Sequence, residues 1–236
     1  MKWSNFESQF SPDWGERIKP FIESEECDKI YAHLKQRSKR GHTIAPSSSN
    51  VFRCFRETPY SEMKAVFMGM APYHTMFRGI NGNVMIADGL LMGCSNTNFL
   101  QPSLSQFYGA IRRETDAVGV DSPDVSYLAK QGVLMLNASL TTELNKAGSH
   151  MELWEPFTKW LMENILSYSG VPLVFMGKDA AAYERYSAPF QWTFVISHPA
   201  SAAYKGTEWN AEDVFNKVNR ILFDCNGMKI QWLKDA

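Results

Sequence analysis

A chain of 236 residues, 44% of them hydrophobic, is long enough to bury one sizeable core and short for two. Its 24 lysines and arginines offset 25 aspartates and glutamates, so net charge does not advertise a nucleic-acid partner and leaves only a local basic face open to one. No apolar run approaches a membrane span, and the start MKWSNFESQF has the form of neither a signal nor a transit peptide, so a cytoplasmic protein with no membrane partner is expected. The four cysteines, Cys27, Cys54, Cys94 and Cys225, lie far apart without a C-x-x-C pair. They read as small buried apolar residues, with no disulfide and no metal site implied.

In chain order, a charged helical segment comes first and ends at a linker-like stretch, GHTIAPSSSNVF (41–52), which reads as a surface loop. Too little chain precedes it to form a domain, so residues 1–58 are expected to pack on a single domain spanning 1–236. Four short apolar runs follow: AVFMG (65–69), GVLMLN (132–137), PLVFMG (172–177) and TFVIS (193–197). Each is strand-length and apolar at consecutive positions, the pattern of a strand buried on both faces in a parallel sheet. Helices are predicted over 102–115, 149–169 and 210–224, the second opening with Ser149 and Glu152 at capping-box spacing. The fold class is therefore α/β.

Polar residues gather where these runs end. Gly69-Met-Ala-Pro-Tyr-His74 follows the first run, Asn137 ends the second, Lys178 and Asp179 follow the third, and His198 ends the fourth. Ligands of open α/β sheets bind outside the carboxyl ends of the strands, so all four features are expected at one crevice.

These segments, in this order, resemble the family 1 uracil-DNA glycosylases. KAVFMGMAPYH (64–74) is similar to that family's strand and GQDPYH water-activating loop, and LAKQGVLMLNASLT (128–141) to its A-K-Q-G-V-L-L-L-N-x-x-L-T segment. GSHMELWEPFTKWL (148–161) is similar to its S-H-x-x-x-W-E-x-F-T helix start. SHPASAAYKG (197–206) resembles its H-P-S-P-L-S minor-groove loop, QPSL (101–104) its P-P-S-L loop, and IQWLKD (230–235) its terminal I-D-W. The resemblance implies a three-layer fold with a central four-stranded parallel sheet flanked by helices. It implies hydrolysis of the N-glycosidic bond of a flipped-out base, with DNA as partner, no cofactor and a monomeric chain.

Carried over residue by residue, Asn137 matches the base-reading Asn, and His198 the His that bonds the base's O2 and steadies the leaving group. Tyr73 matches the Tyr that closes the pocket against a C5 substituent, and His74 belongs to the same loop, toward phosphate. Ser103 and Ser201 match phosphate-gripping serines, with Ala202, Tyr204 and Lys205 as further DNA contacts of the minor-groove loop.

The departures are pronounced. The catalytic Asp is Ala71, the Gln before it is Met70, and the base-stacking Phe aligns with Met92. The wedging Leu has no counterpart beyond Ala202 or Ala203, and Asp88, just before Gly89-Leu90, reads either as a substitute carboxylate or as an exposed loop Asp forming an Asx-turn. Met70, Ala71, Met92 and Gly93 are expected to open room around a pyrimidine. The reading that follows is a glycosylase for a bulky C5-modified pyrimidine, such as glucosylated hydroxymethylcytosine of phage DNA, acting in antiviral defence. The alternatives are a catalytically inactive module that binds DNA or protein, and a slow uracil-repair enzyme.

Overall fold

The structure is a computed structural model and describes residues 9–80 and 82–236; the first residues of MKWSNFESQF, on which the leader reading rests, lie outside the described residues. Two helices open it, α1 (Pro12–Ile22) and α2 (Glu25–Lys39), followed by β1 (Ile44–Ala45) and α3 (Arg53–Glu57). Strand β2 (Ala65–Gly69) leads into β3 (Met76–Gly79) and β4 (Gly82–Met85), then α4 (Pro102–Glu114) and α5 (Ser126–Ala129). Then come β5 (Val133–Asn137), β6 (Thr142–Glu143), α6 (Met151–Asn164), β7 (Leu173–Met176) and α7 (Lys178–Ala181). The chain closes with β8 (Thr193–Ile196), α8 (Pro199–Lys205) and α9 (Val214–Asn226).

All four apolar runs become strands of one parallel sheet, in the order β5-β2-β7-β8. Every residue of β2, β5 and β7 is buried, as continuous apolarity requires when helices cover both faces. Helix α4 starts with Pro102 at its first turn, where a missing N–H is harmless, and buries Leu104, Phe107, Tyr108 and Ile111, a stripe at helical spacing. Helix α9 buries Val214, Phe215, Val218 and Leu222 and stops at Gly227, whose φ of 71° is the left-handed cap. From these helices Phe107 and Phe215 close on Phe67 of β2, with Trp232 at 5.6 Å from the same ring. The N-terminal segment packs through a second aromatic group, in which Phe21, Phe52 and Phe55 meet Phe157 of α6. Each ring removed from water in this way contributes roughly 1.5–3 kcal/mol.

Three local readings are corrected. The stretch 41–52 is not simply a surface loop: β1 pairs antiparallel with β6, and Ala45 is completely buried. Arg37 of α2 clasps Glu143 at that junction, which holds the N-terminal helices to the segment after β5. Helix α6 starts at Met151 with His150 at its N-cap, because Ser149 is used elsewhere: its Oγ accepts from the Glu143 N–H at 2.8 Å and closes the turn after β6. Finally, β3 and β4 form a hairpin between the 69–74 turn and the 86–93 segment, which the apolar pattern does not predict.

Candidate active site

The carboxyl ends of the four strands stand side by side and present Asn137, Gly69, Gly177 and His198. Gly69 is paired in register with Asn137, and the parallel ladder runs on past both strands: Ala138 N–H donates to Gly69 O at 2.8 Å and Ser139 N–H to Met70 O at 2.9 Å. The 69–74 turn is thereby laced to the chain leaving Asn137.

His198 is the N-cap of α8, with Pro199 behind it, and its Nδ1 accepts the Ala200 N–H at 3.1 Å. An accepting Nδ1 places the proton of a neutral ring on Nε2. Burial lowers the pKa of His198, opposed by the negative charge of Asp179, so the neutral donor form is favoured. Two glycines make room for the ring. A β-carbon on Gly177, whose φ is 85°, would lie 3.0 Å from the His198 Cβ. One on Gly69 would collide with Leu91 Cδ1 and lie 3.5 Å from His198 Nε2. The Nε2–H therefore reaches over Gly69, beside the position of Asn137.

Asn137 is 3% exposed, and its buried Oδ1 meets no protein donor. A buried carbonyl oxygen without a partner is uncommon and marks a place where a ligand donor fits. The structure thus brings Asn137 and His198 to one floor, Gly69, with Leu91 beside it. Leu91 was not foreseen; its Cδ1 fills the space a β-carbon on Gly69 would need, and its N–H donates to Met135 O at 3.0 Å. Nothing distinguishes it in the sequence from its neighbours in DGLLMGC. Met92 is buried in the adjoining core in a left-handed conformation, φ 58°, which is rare for a methionine.

In the turn itself, Ala71 is half-buried and ends in a methyl group, while the thioether of Met70 lies against Gly148. Tyr73 is anchored by its hydroxyl to Ser103 Oγ at 2.6 Å, and burial raises its pKa. Ser103, expected to grip phosphate, is buried with its hydroxyl engaged on Tyr73. His74 is half-buried, its Nδ1 meeting no protein partner, while its carbonyl accepts the Asn145 N–H at 2.7 Å.

Asp88 is corrected most clearly. It is fully buried; Oδ1 accepts the Leu90 N–H at 3.0 Å, and Oδ2 accepts the Ser95 N–H at 3.1 Å and hydroxyl at 2.7 Å. Arg53 Nη1 stands 3.0 Å from the same Oδ2. A carboxylate so occupied organises the 88–95 turn and does not activate water. Its oxygen also fills the place of a β-carbon on Gly93, so Gly93 opens no room in the pocket. Ala202 is corrected too: residues 199–205 coil into a helix that turns it inward, 6% exposed, so it cannot wedge into DNA. Ser201 and Lys205 stay exposed on that helix, as does Tyr204 at 88%.

Lys178 and Asp179 line a cavity of about 320 Å³ against α6, together with Glu152, Glu155 and Arg185. Among the described residues no group of three His, Cys, Asp or Glu is placed to hold a metal ion, and no helix is long and apolar enough to cross a membrane.

A parallel sheet flanked by helices, with an amide and an imidazole carried at the carboxyl ends of its two outer strands, defines an α/β protein whose candidate site lies along that end of the sheet. The particular family follows from comparison: the profile of the Uracil DNA glycosylase superfamily matches residues 55–223, and the chain belongs to that superfamily. It is 32% identical over 234 residues to a uracil-DNA glycosylase of Alkaliphilus oremlandii (strain OhILAs), covering 94% of this chain and 96% of that protein. It is 33% identical over 161 residues to one of Xanthomonas axonopodis pv. citri (strain 306), a match spanning 66% of this chain and only 62% of that relative. The crystal structure of mimivirus uracil-DNA glycosylase shares the fold with a TM-score of 0.82 at 22% identity, over 95% of this chain and 87% of that one.

Proposed function

We propose that this chain is a DNA glycosylase that hydrolyses the N-glycosidic bond of an extruded, C5-modified pyrimidine, with glucosylated hydroxymethylcytosine of phage DNA as the substrate and antiviral defence as the role. The observation that carries it is the pairing of a buried acceptor, Asn137 Oδ1, with a neutral donor, His198 Nε2, over a common glycine floor. An acceptor at that edge suits the exocyclic amine of a cytosine, which is a donor. The opposite donor suits the ring carbonyl on which charge accumulates as the bond to the sugar breaks.

In the step envisaged, the C1′–N1 bond breaks and its electron pair goes to the base. His198 Nε2–H strengthens its hydrogen bond to that carbonyl, and water adds its oxygen to C1′ and gives up a proton that ends on the released base, leaving an abasic sugar and a neutral pyrimidine. Ala71 supplies no carboxylate for that water, and Asp88 is locked onto Arg53. Leaving-group stabilisation then carries the larger part of the rate. Loss of the acid lowers excision of unmodified uracil, the short Ala71 with the adaptable Met70 supports a bulkier base, and the Tyr73 ring, tied at its hydroxyl to Ser103, has to swing aside to admit the C5 substituent. A base found only in foreign DNA would leave the host template untouched.

The test is strand cleavage after alkali, offered uracil-containing duplex, unmodified DNA and phage DNA with glucosylated hydroxymethylcytosine. Alkali-labile sites confined to the last are expected. Sites in the uracil duplex alone would make it a slow repair enzyme, and binding with no cleavage of any substrate would make it a binding module; either result overturns the proposal.

A further inference from the structure

We propose that the β3–β4 hairpin is a DNA-contacting arm whose tip, Ile80, enters the base stack beside the extruded nucleotide while Arg78 meets the backbone phosphates. The inference rests on the glycosylase reading for its partner, and three independent features of the hairpin support it.

The first is position. The hairpin leaves the 69–74 turn two residues after His74 and returns into the 86–93 segment, which supplies Leu91 beside Gly69. Both of its ends are thus walls of the candidate pocket. Its base is fixed there: Asn96 Nδ2 donates to Met85 O at 3.1 Å and to Ala87 O at 3.3 Å, and Phe77 packs on Phe99 with ring centroids 5.0 Å apart.

The second is the surface it presents. Ile80, directly after the end of β3, is fully exposed, Met76 and Val84 are exposed along the strands, and Phe99, which packs on Phe77, is 58% exposed. Apolar side chains collected on a projecting ribbon cost solubility and call for a partner. An enzyme that extrudes a nucleotide has to fill the gap left in the stack, and proteins do this with apolar wedges such as Ile, Leu, Met or Phe. Ala202, on α8, is turned inward and cannot fill it.

The third is charge. In a chain with 25 acidic residues, the stretch from Met63 to Arg113 contains a single one, Asp88. That carboxylate is buried against Arg53, so this stretch offers no exposed acid, whereas Arg78 on β3 is exposed. A segment without an exposed acid that carries an exposed guanidinium suits a polyanion.

The test uses the full chain with Ile80→Gly and Arg78→Ala, each first checked for an unchanged thermal melt. Single-turnover excision of glucosylated hydroxymethylcytosine is measured in duplex and in single-stranded oligonucleotides. Binding is measured on a duplex with a central tetrahydrofuran abasic analogue beside 2-aminopurine, whose fluorescence reports unstacking. Ile80→Gly is expected to slow duplex excision at least ~tenfold, leave single-strand excision within about twofold, and abolish the fluorescence change. Arg78→Ala is expected to weaken binding whatever the base, and to reduce the slope of log K against log salt by about 1.

Equal losses on duplex and single strand, or no loss, would overturn the arm. So would a loss that appears with glucosylated but not with plain hydroxymethylcytosine, since the hairpin would then contact the sugar. If the wild type excises neither base, the glycosylase reading fails, yet the fluorescence and the salt slope still decide the arm. A wild type that binds no DNA overturns both.

Discussion

His198 performs two separable tasks, and the two ring nitrogens divide them. Nδ1 caps α8 by accepting from Ala200, and Nε2 carries the proton presented over Gly69. His198→Asn keeps an acceptor close to the position of Nδ1 and removes the distal donor. His198→Gln keeps a donor near the position of Nε2 and removes the cap. Loss of a preorganised donor to developing charge costs roughly 10²–10³ in rate, about 2.7–4 kcal/mol. Loss of an N-cap costs about 1 kcal/mol of stability, a fall in Tm of roughly 2–4 °C for a chain of this size. His198→Asn should therefore melt like the wild type and lose excision by two to three powers of ten, to order of magnitude. His198→Gln should melt a few degrees lower and keep more of the rate. Single-turnover excision and thermal unfolding of the two variants give both numbers. If His198→Asn excises within about threefold of wild type, the donor has no part in the chemistry.

Ala71→Asp should raise excision of uracil from duplex DNA, because it returns a carboxylate to the water side of the pocket; a variant no faster than wild type would mean that water is handled elsewhere. Asp88→Asn should destabilise the fold by about 2–3 kcal/mol, since it removes the charge facing half-buried Arg53 and leaves Glu57 and Asp124 as its carboxylate partners. Its rate per folded molecule should stay near wild type, and a hundredfold drop in a still folded variant would put that carboxylate back in the mechanism. Stability should fall with acid in a defined window. Burial lowers the His150 pKa from 6.5 to about 4, so between those values the unfolded chain binds the proton and the folded one does not. His150's contribution is thus complete above 6.5 and is lost as pH falls toward 4, about 3 kcal/mol in all; chemical denaturation along a pH series measures it, and His150→Asn should flatten the slope. Further down, Glu143, held at about 2 chiefly by its hydrogen bond from Arg37, adds a second loss below 4.5.

The sheet was legible because burial on both faces leaves an unbroken apolar run, and 65–69 and 133–137 are strands almost to the residue. What the sequence conceals is where a polar group points. Asp88 reads equally well as a pocket carboxylate or as a turn residue, and the choice is made by Arg53, 35 positions earlier. Ser149 has capping-box spacing, but a backbone N–H six residues back takes its hydroxyl first. Gly93 reads as lost bulk until the Asp88 oxygen is seen in its place. Ala202 reads as a loop residue because seven residues are too few to show a helical period. The hairpin escaped notice because its short strands are half polar and face solvent, so hydrophobic alternation did not reveal it.

The imidazole of His198 rests on Gly177, reaches over Gly69 and is tied at its inner nitrogen to the first turn of α8. Its rotational freedom is given up once, when the polypeptide folds, and not again at each turnover. On the proposed glycosylase reading this side chain needs no rearrangement at base capture, so the barrier should track how easily a given step of DNA bends and unstacks.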